Sequence, residues 1–533
     1  MTRATIALVV LVLVLVLGLE ACGRSAKSST VLAVKVTANG VPVGARVLLF
    51  DDSGEQLHIG KIDMYGQRQG AAACAIAPGV VGSWDGLVIG TGSGEIPVGA
   101  DACAPSPAIP YGVYKVWAYR GIELERWEGT VDLSEGRGRV ELAIPLERAW
   151  TPTGTLAADL HVHAHASNDS TMPDEQRVLA QVAAGIQVIA LSDHNTNGSL
   201  EQPIRALGLD GVITSIASNE LTSATIHVGV YPVTVDPNAP RGGAPSEDVV
   251  RPATPAQLLE LARKLPGEHV VQVNHPRFRV TALYDVAAWD GVSWPPPFPV
   301  NFDAVEVLNG FTAFNVAGDR RFDDSVRDLY TMIDHGHPLA PLGNSDSHDF
   351  NWNHDGLARS YVFVDDPRVK PFDQSAFIRA VLARRVVATT GPWISVAVSQ
   401  ADGGGPVAGP GQFLHATGTA WVKVRLAQAR YVHTDRIKIT VGTATGPIVV
   451  QTVAVPANVR DFQWTGAVPI GTLDTWIGVT ADGDTALPLE QTGTYQKDKW
   501  KHPGVTPFAI ASPILIDADG DGRWKRGDGD LAP

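Results

Sequence analysis

Four short apolar runs, each ending in a polar cluster rich in histidine, aspartate or asparagine, constrain this chain more than any other feature. Leu156 to Leu160 leads into His161-Val162-His163, and Ile186 to Leu191 into Ser192-Asp193-His194. His269 to Val273 leads into Asn274-His275-Pro276, and Pro338 to Leu342 into Gly343-Asn344-Ser345-Asp346-Ser347-His348. Apolar runs of this length with polar ends read as buried strands. Alternate side chains of a strand share a face, so His161 and His163 point the same way and can grip one metal ion without bending the backbone. Helical signals lie between the runs. Pro173-Asp174-Glu175 opens a helix that Gly185 stops, Thr254-Pro255 starts another over Ala256 to Leu265, and Ser325 to His335 is a third. Phe302 to Leu308 is a further strand, carrying Glu306. Strands alternating with helices, each strand delivering polar groups at its C-terminal end, predict an α/β fold whose central (β/α) barrel gathers those ends on one face.

Composition narrows the chemistry. Eleven of the fifteen histidines fall between His161 and His354, the clustering that a histidine-rich site requires. Three cysteines leave little room for a thiolate metal site. A net charge of −14 argues against nucleic acid as a partner, because phosphate contacts need a basic surface. At 533 residues the chain calls for two to three domains.

The flanks read differently from the centre. Arg3 followed by the apolar run Ala4 to Leu19 has the form of an export signal over residues 1–22. Its end, Leu19-Glu20-Ala21-Cys22, is similar to a bacterial lipobox with Cys22 as the lipidated residue; Glu20 departs from that pattern and leaves plain cleavage or an uncleaved anchor open. Export places Cys74 and Cys103 in an oxidising compartment, where they are a candidate disulfide. Residues 23–152 carry short β runs, among them Val31 to Ala38 and Val41 to Phe50 around an Asn39-Gly40 turn, and predict a β-sandwich. Residues 393–533 predict a second sandwich, from runs such as Trp393 to Val398 and Ala420 to Ala427. Near its end, Asp517, Asp519, Asp521 and Asp528 fall at positions 1, 3, 5 and 12 of a calcium-loop spacing with Gly522 at 6, a candidate site for one Ca²⁺.

Taken in order, the four polar clusters resemble the four motifs of the PHP (polymerase and histidinol phosphatase) metal-dependent phosphoesterases. Asn219-Glu220 followed by Ile226-His227-Val228 resembles the Glu…His pair between the second and third motifs. Gly356 to Val362 and Arg384 to Pro392 resemble the closing segment of the CehA/McbA branch. The resemblance covers roughly residues 153–395 and implies a distorted PHP barrel holding up to three divalent ions; a set of two or three transition ions on His and carboxylate ligands without Cys suits Mn, Fe or Zn. Carried over residue by residue, it implies one ion on His161, His163, Glu220 and Asp346, and a second on Glu220, His227 and His275. A third would sit on Asp169, His194 and His348, although the alignment could place Asn168 where Asp169 stands. Asp193 and Glu306 would orient ligands, while Arg277 and His348 would serve catalysis, Arg277 by pairing with a substrate anion.

The expected function is that of an exported, membrane-anchored, periplasmic or cell-surface metal-dependent hydrolase. It would use ion-activated water on a small, anionic substrate, foremost a phosphoester. A carbamate or other ester hydrolase with the same site is one alternative, and a non-catalytic cell-surface binding lipoprotein is another.

Overall fold

A computed structural model of the chain describes residues 30–59, 74–83, 85–99, 109–277, 281–291, 300–310, 320–350, 354–488 and 504–532. The export signal with Cys22 lies outside the described residues, as do Cys103 and the side chain of Cys74. Among the described residues no helix is long and apolar enough to cross a membrane.

The expected α/β barrel is not what the chain builds. The fold is mostly β, with 42% strand against 13% helix, and its several sheets are not closed. Strand Thr155–Val162 lies parallel to Val188–Leu191, which lies parallel to Thr214–Ala217. Strands Val270–Val273, Ala304–Asn309 and Ala340–Asn344 form a second parallel run in a separate five-stranded sheet. Two features stop these runs from joining. First, the strand–helix alternation breaks at Asn219–Thr222 and His227–Tyr231, which pair antiparallel with each other. Second, antiparallel Arg359–Phe363 takes the first half of the edge of Thr155–Val162 opposite Val188–Leu191, so Ala340–Asn344 does not pair along it and only the residues that follow reach its far end, at the Val162–Ser347 bridge. Among the described residues, isolated bridges link the two runs, at Val162 to Ser347, His194 to Glu220 and Gly198 to Ser218.

The local signals are realised within a few residues. Helix Asp174–Ala184 follows Pro173 and ends at Gly185, whose φ of 83° suits the left-handed stop that glycine supplies. Helix Pro255–Arg263 starts with a reciprocal capping box between Thr254 and Gln257. Asn39 and Gly40 both take positive φ in the tight turn between Val31–Ala38 and Val41–Pro42.

Toward the N-terminus a four-stranded and a six-stranded sheet enclose one apolar core that includes Leu32, Val47, Leu87 and Ile144. The C-terminal segment does not stand apart as its own sandwich. Strand Phe508–Asp517 pairs with Val386–Thr389, extending the sheet of Thr155–Val162 to ten strands across the 392/393 boundary. A four-stranded sheet containing Trp393–Ala401 and Thr419–Ala427 belongs to the same core as the C-terminal strands of that sheet. Trp150, Tyr361 and Trp393 pin the three segments together. The Trp150 and Trp393 rings stack at 5.7 Å, and Tyr361 meets Trp393 edge-on at 5.1 Å, each such pair adding about 0.5–1.5 kcal/mol beyond its buried area.

Candidate metal centre

The two parallel runs point their C-terminal ends at one buried pocket. From the ten-stranded sheet come His161, at the end of its strand, then His163 and Asp169 in the following loop and His194 after Val188–Leu191. The five-stranded sheet contributes Glu220, His227, His275, Glu306, Asp346 and His348. His161, His163, Glu220 and Glu306 are almost wholly buried. Three groups of ligand atoms lie within 4.8 Å of one another: His161, His163 and Asp346; His163, Asp169, His194 and His348; and His194, Glu220 and His227. The groups overlap through His163 and His194. His161 Nε2 is also 3.0 Å from Glu220 Oε1, and His275 Nε2 is 3.6 Å from the same oxygen.

Hydrogen bonds around the rim fix which nitrogen each ring offers. Glu306 Oε1 accepts from His161 Nδ1 at 2.8 Å, and the Asp346 carbonyl accepts from His348 Nδ1 at 2.9 Å. Ser167 Oγ is 2.8 Å from His163 Nδ1 and accepts from the His194 N–H at 3.1 Å. With Nδ1 engaged by Ser167, the His163 ring presents its Nε2 to Asp346 Oδ1 at 3.2 Å. All three rings therefore turn Nε2 toward the carboxylates, the arrangement that second partners impose on histidine ligands. Asp193 also holds the loop by accepting from the Ala164 N–H at 2.7 Å.

The ionisation pattern has the same origin. Burial, reinforced by neighbouring His348 and His194, lowers His163 to about 3 and keeps it neutral. Burial also opposes charge on His194, but Glu220 and Asp169 outweigh it and raise the ring to about 10. At His161, Asp346, Glu306 and Glu220 overcome burial and push the ring well above its ordinary value. Burial raises Asp169 and Asp346, yet the surrounding imidazoles hold both below the usual carboxylate range.

This donor set fits divalent cations. His161 Nε2 and His163 Nε2 lie 3.1 Å apart, too close for two lone pairs with nothing positive between them or on one of them. His227 Nδ1 is buried without a hydrogen-bond partner although Glu220 Oε1 is 3.2 Å away. Nitrogen and carboxylate donors without sulfur suit Mn, Fe or Zn. Backbone strain marks the same places, since His275 and Asp346 both hold positive φ, at 30° and 52°.

Several side chains fall elsewhere than the sequence suggests. Arg277 does not open its fork to a substrate anion. Its Nε donates to Asp328 Oδ2 at 2.6 Å and its Nη1 to Asp285 Oδ1 at 2.9 Å. His194 rather than His275 completes the tight group with Glu220 and His227. In the C-terminal acidic turn, Asp474 joins Asp517 and Asp519, while Asp521 pairs with Lys525 and Asp528 is not in the group. Those carboxylates already accept backbone N–H groups: Asp517 from Gly520 at 2.7 Å, and Asp474 from Ala518 at 2.8 Å.

The sequence reading missed the amide shell. Asn274 Nδ2 donates to Glu220 Oε1 at 2.7 Å, and Asn344 and Asn309 each donate to Glu306 at 2.8 Å. Their signal was position, since each stands at or just after the end of a strand that delivers a ligand. It also missed Arg177, wholly buried behind the pocket, whose Nε donates to the His163 carbonyl at 2.9 Å and whose Nη2 donates to the Ser347 carbonyl at 3.0 Å. No protein-family model matches this chain and no curated protein matches it in sequence, so the case for its chemistry rests on the geometry of this pocket.

Proposed function

We propose that this chain is a metal-dependent hydrolase. The observation that carries the reading is the convergence of five histidines with Asp169, Glu220 and Asp346 in three groups that share members, with His275 beside them at 3.6 Å from Glu220. Overlapping ligand groups suit adjacent cations better than one isolated structural ion. His161, His163, Asp346 and Glu220 would hold one ion, His194, Glu220 and His227 a second, and Asp169 and His348 a further one with His163 or His194. When bound, such cations polarise a substrate oxygen and acidify water. The protein's own part is to turn each Nε2 inward through Glu306, Ser167 and the Asp346 carbonyl, and to keep the carboxylates ionised. The motif resemblance to PHP hydrolases of the CehA/McbA branch supports the same chemistry through its site residues, without a closed barrel. The leader-like residues 1–22 support export with anchoring at Cys22.

Phosphoester hydrolysis is the leading activity. Glu220, Asp169, Asp346 and Glu306 together balance two divalent cations, and a third would leave the pocket positive toward an anionic substrate. The commitment of Arg277 to Asp328 and Asp285 favours a second reading, a carbamate or other uncharged ester substrate, because no guanidinium fork is then needed for recognition. Turnover of an aryl phosphate against an aryl carbamate, by wild type and by His161→Ala, tests both. Loss of turnover in a folded His161→Ala chain is the expected result. Equal turnover by the two proteins, or none on either substrate by a metal-loaded wild type, defeats the hydrolase and leaves a binding protein.

A further inference from the structure

The Asn274 amide that reaches Glu220 ends a longer chain of buried polar groups. In the five-stranded sheet Glu220 stands opposite Gly229, Gly229 opposite Gln272, and Gln272 opposite Ala304. Side chains two residues on share the same face, so Tyr231, Asn274 and Glu306 join them. Glycine leaves that face room for the amides: a Cβ at Gly229 would lie 3.2 Å from Asn274 Oδ1 and 3.5 Å from Gln272 Nε2.

The hydrogen bonds run in one direction. Tyr231 donates its hydroxyl to Gln272 Oε1 at 3.0 Å, Gln272 Nε2 donates to Asn274 Oδ1 at 2.7 Å, and Asn274 Nδ2 donates to Glu220 Oε1 at 2.7 Å. Carboxylates fix that direction, because an ionised carboxylate only accepts. Gln272 Nε2 also lies 3.3 Å from Glu306 Oε1, so turning over either amide would set its oxygen against Glu306 or Glu220. Tyr231, Gln272 and Asn274 are wholly buried, and a partner removed there leaves the next group unpaired. Burial, with Asp303 and Glu306 nearby, pushes Tyr231 well above its ordinary value, so the hydroxyl keeps its proton and remains a donor.

We propose that Gln272 and Tyr231 are positioning residues of the metal centre, which lock the Asn274 amide with its N–H toward Glu220. Neither touches a candidate ion ligand of the three groups. They act through Asn274 on the one carboxylate that reaches His161, His194 and His227 together, and so hold it in place before any cation arrives. The inference rests on the reading of the histidine cluster as a metal site and is independent of which ester is hydrolysed.

Competition for Mn and Zn against a chelator tests this on the full chain, with urea denaturation of the same samples. Tyr231→Phe removes one hydroxyl and lowers metal affinity about two- to tenfold. Gln272→Met keeps the volume, frees the Asn274 amide and lowers affinity about tenfold or more. Adding Tyr231→Phe to Gln272→Met costs no further affinity, because the hydroxyl acts only through Gln272. Gly229→Val keeps every polar group but crowds Asn274 Oδ1, and it lowers affinity as well. Should Gln272→Met fail to fold, Tyr231→Phe and Gly229→Val decide. Variants that lose stability yet bind metal as wild type does overturn the proposal and leave the metal site standing. A Tyr231→Phe effect that adds in full to that of Gln272→Met also overturns it. A wild type that binds neither metal overturns it together with the metal-site reading.

Discussion

Replacing Arg177 with methionine probes how the ligand loops are held. Arg177 is wholly buried and reaches the His163 carbonyl, the Ser347 hydroxyl and carbonyl, and Asp355. It therefore clamps the loop after His163 to the loop before His348. Methionine preserves most of the volume but strands Asp355, whose remaining partners are Gln181 at 3.1 Å and Arg46 at 3.5 Å. Breaking a buried ion pair from one side costs about 3–5 kcal/mol. Removing both charges, in Arg177→Met with Asp355→Leu, leaves no stranded carboxylate but takes the counter-charge from buried Arg46, so it returns less than about half of that loss. Arg177→Lys keeps the charge and loses the fork, for an intermediate cost of about 1–3 kcal/mol. Urea denaturation measures all three, with metal content read on the same samples. Because His163 and His348 lose their common clamp, Arg177→Met also retains less metal. A loss under about 1 kcal/mol with full metal retention refutes the clamp.

Other expectations concern the shell and the protons. Asn274→Ala removes the amide that donates to Glu220 at 2.7 Å and lowers metal affinity about 10–100-fold, as a competition assay against a chelator reports; unchanged affinity removes Asn274 from the shell. Arg277→Gln strands the wholly buried carboxylate of Asp328, so it lowers thermal stability while leaving KM near wild type, and a large rise in KM restores Arg277 to substrate binding. In the ion-free chain His194 stays protonated up to about 10, so the stability contributed by its ion pair with Glu220 and Asp169 is fully present below about pH 6.5 and is lost as pH rises from there through about 10. Metal must displace that proton, so loading near pH 8 releases about one proton or more and affinity climbs with pH; calorimetry in buffers of different ionisation enthalpy reads this, and loading with no proton uptake or release contradicts it.

Most of the candidate ligands were legible because they follow the ends of apolar runs that are strands under any topology. The fold between them was not. Strand–helix alternation leads a reader to close a barrel, but closure depends on which strand occupies each edge of Thr155–Val162, a long-range choice that Arg359–Phe363 settles. The reach of Phe508–Asp517 back to Val386–Thr389 was equally invisible, since an apolar strand names no partner. Arg277 illustrates the limit at the level of a side chain. Its planar fork suggested pairing with a substrate anion, while Asp328, fifty-one residues on, decides where the guanidinium goes. Arg177 carries no mark in the sequence beyond lying on the buried face of a helix.

The central claim is that the histidine cluster binds catalytic-type cations, and elemental mass spectrometry on the purified chain tests it most directly. Two or three Mn, Fe or Zn per chain, falling to one or none in Glu220→Gln, is the predicted result, since Glu220 reaches His161, His194 and His227 within 3.2 Å. No transition metal in the wild type, even after reconstitution with each of the three, would contradict the account.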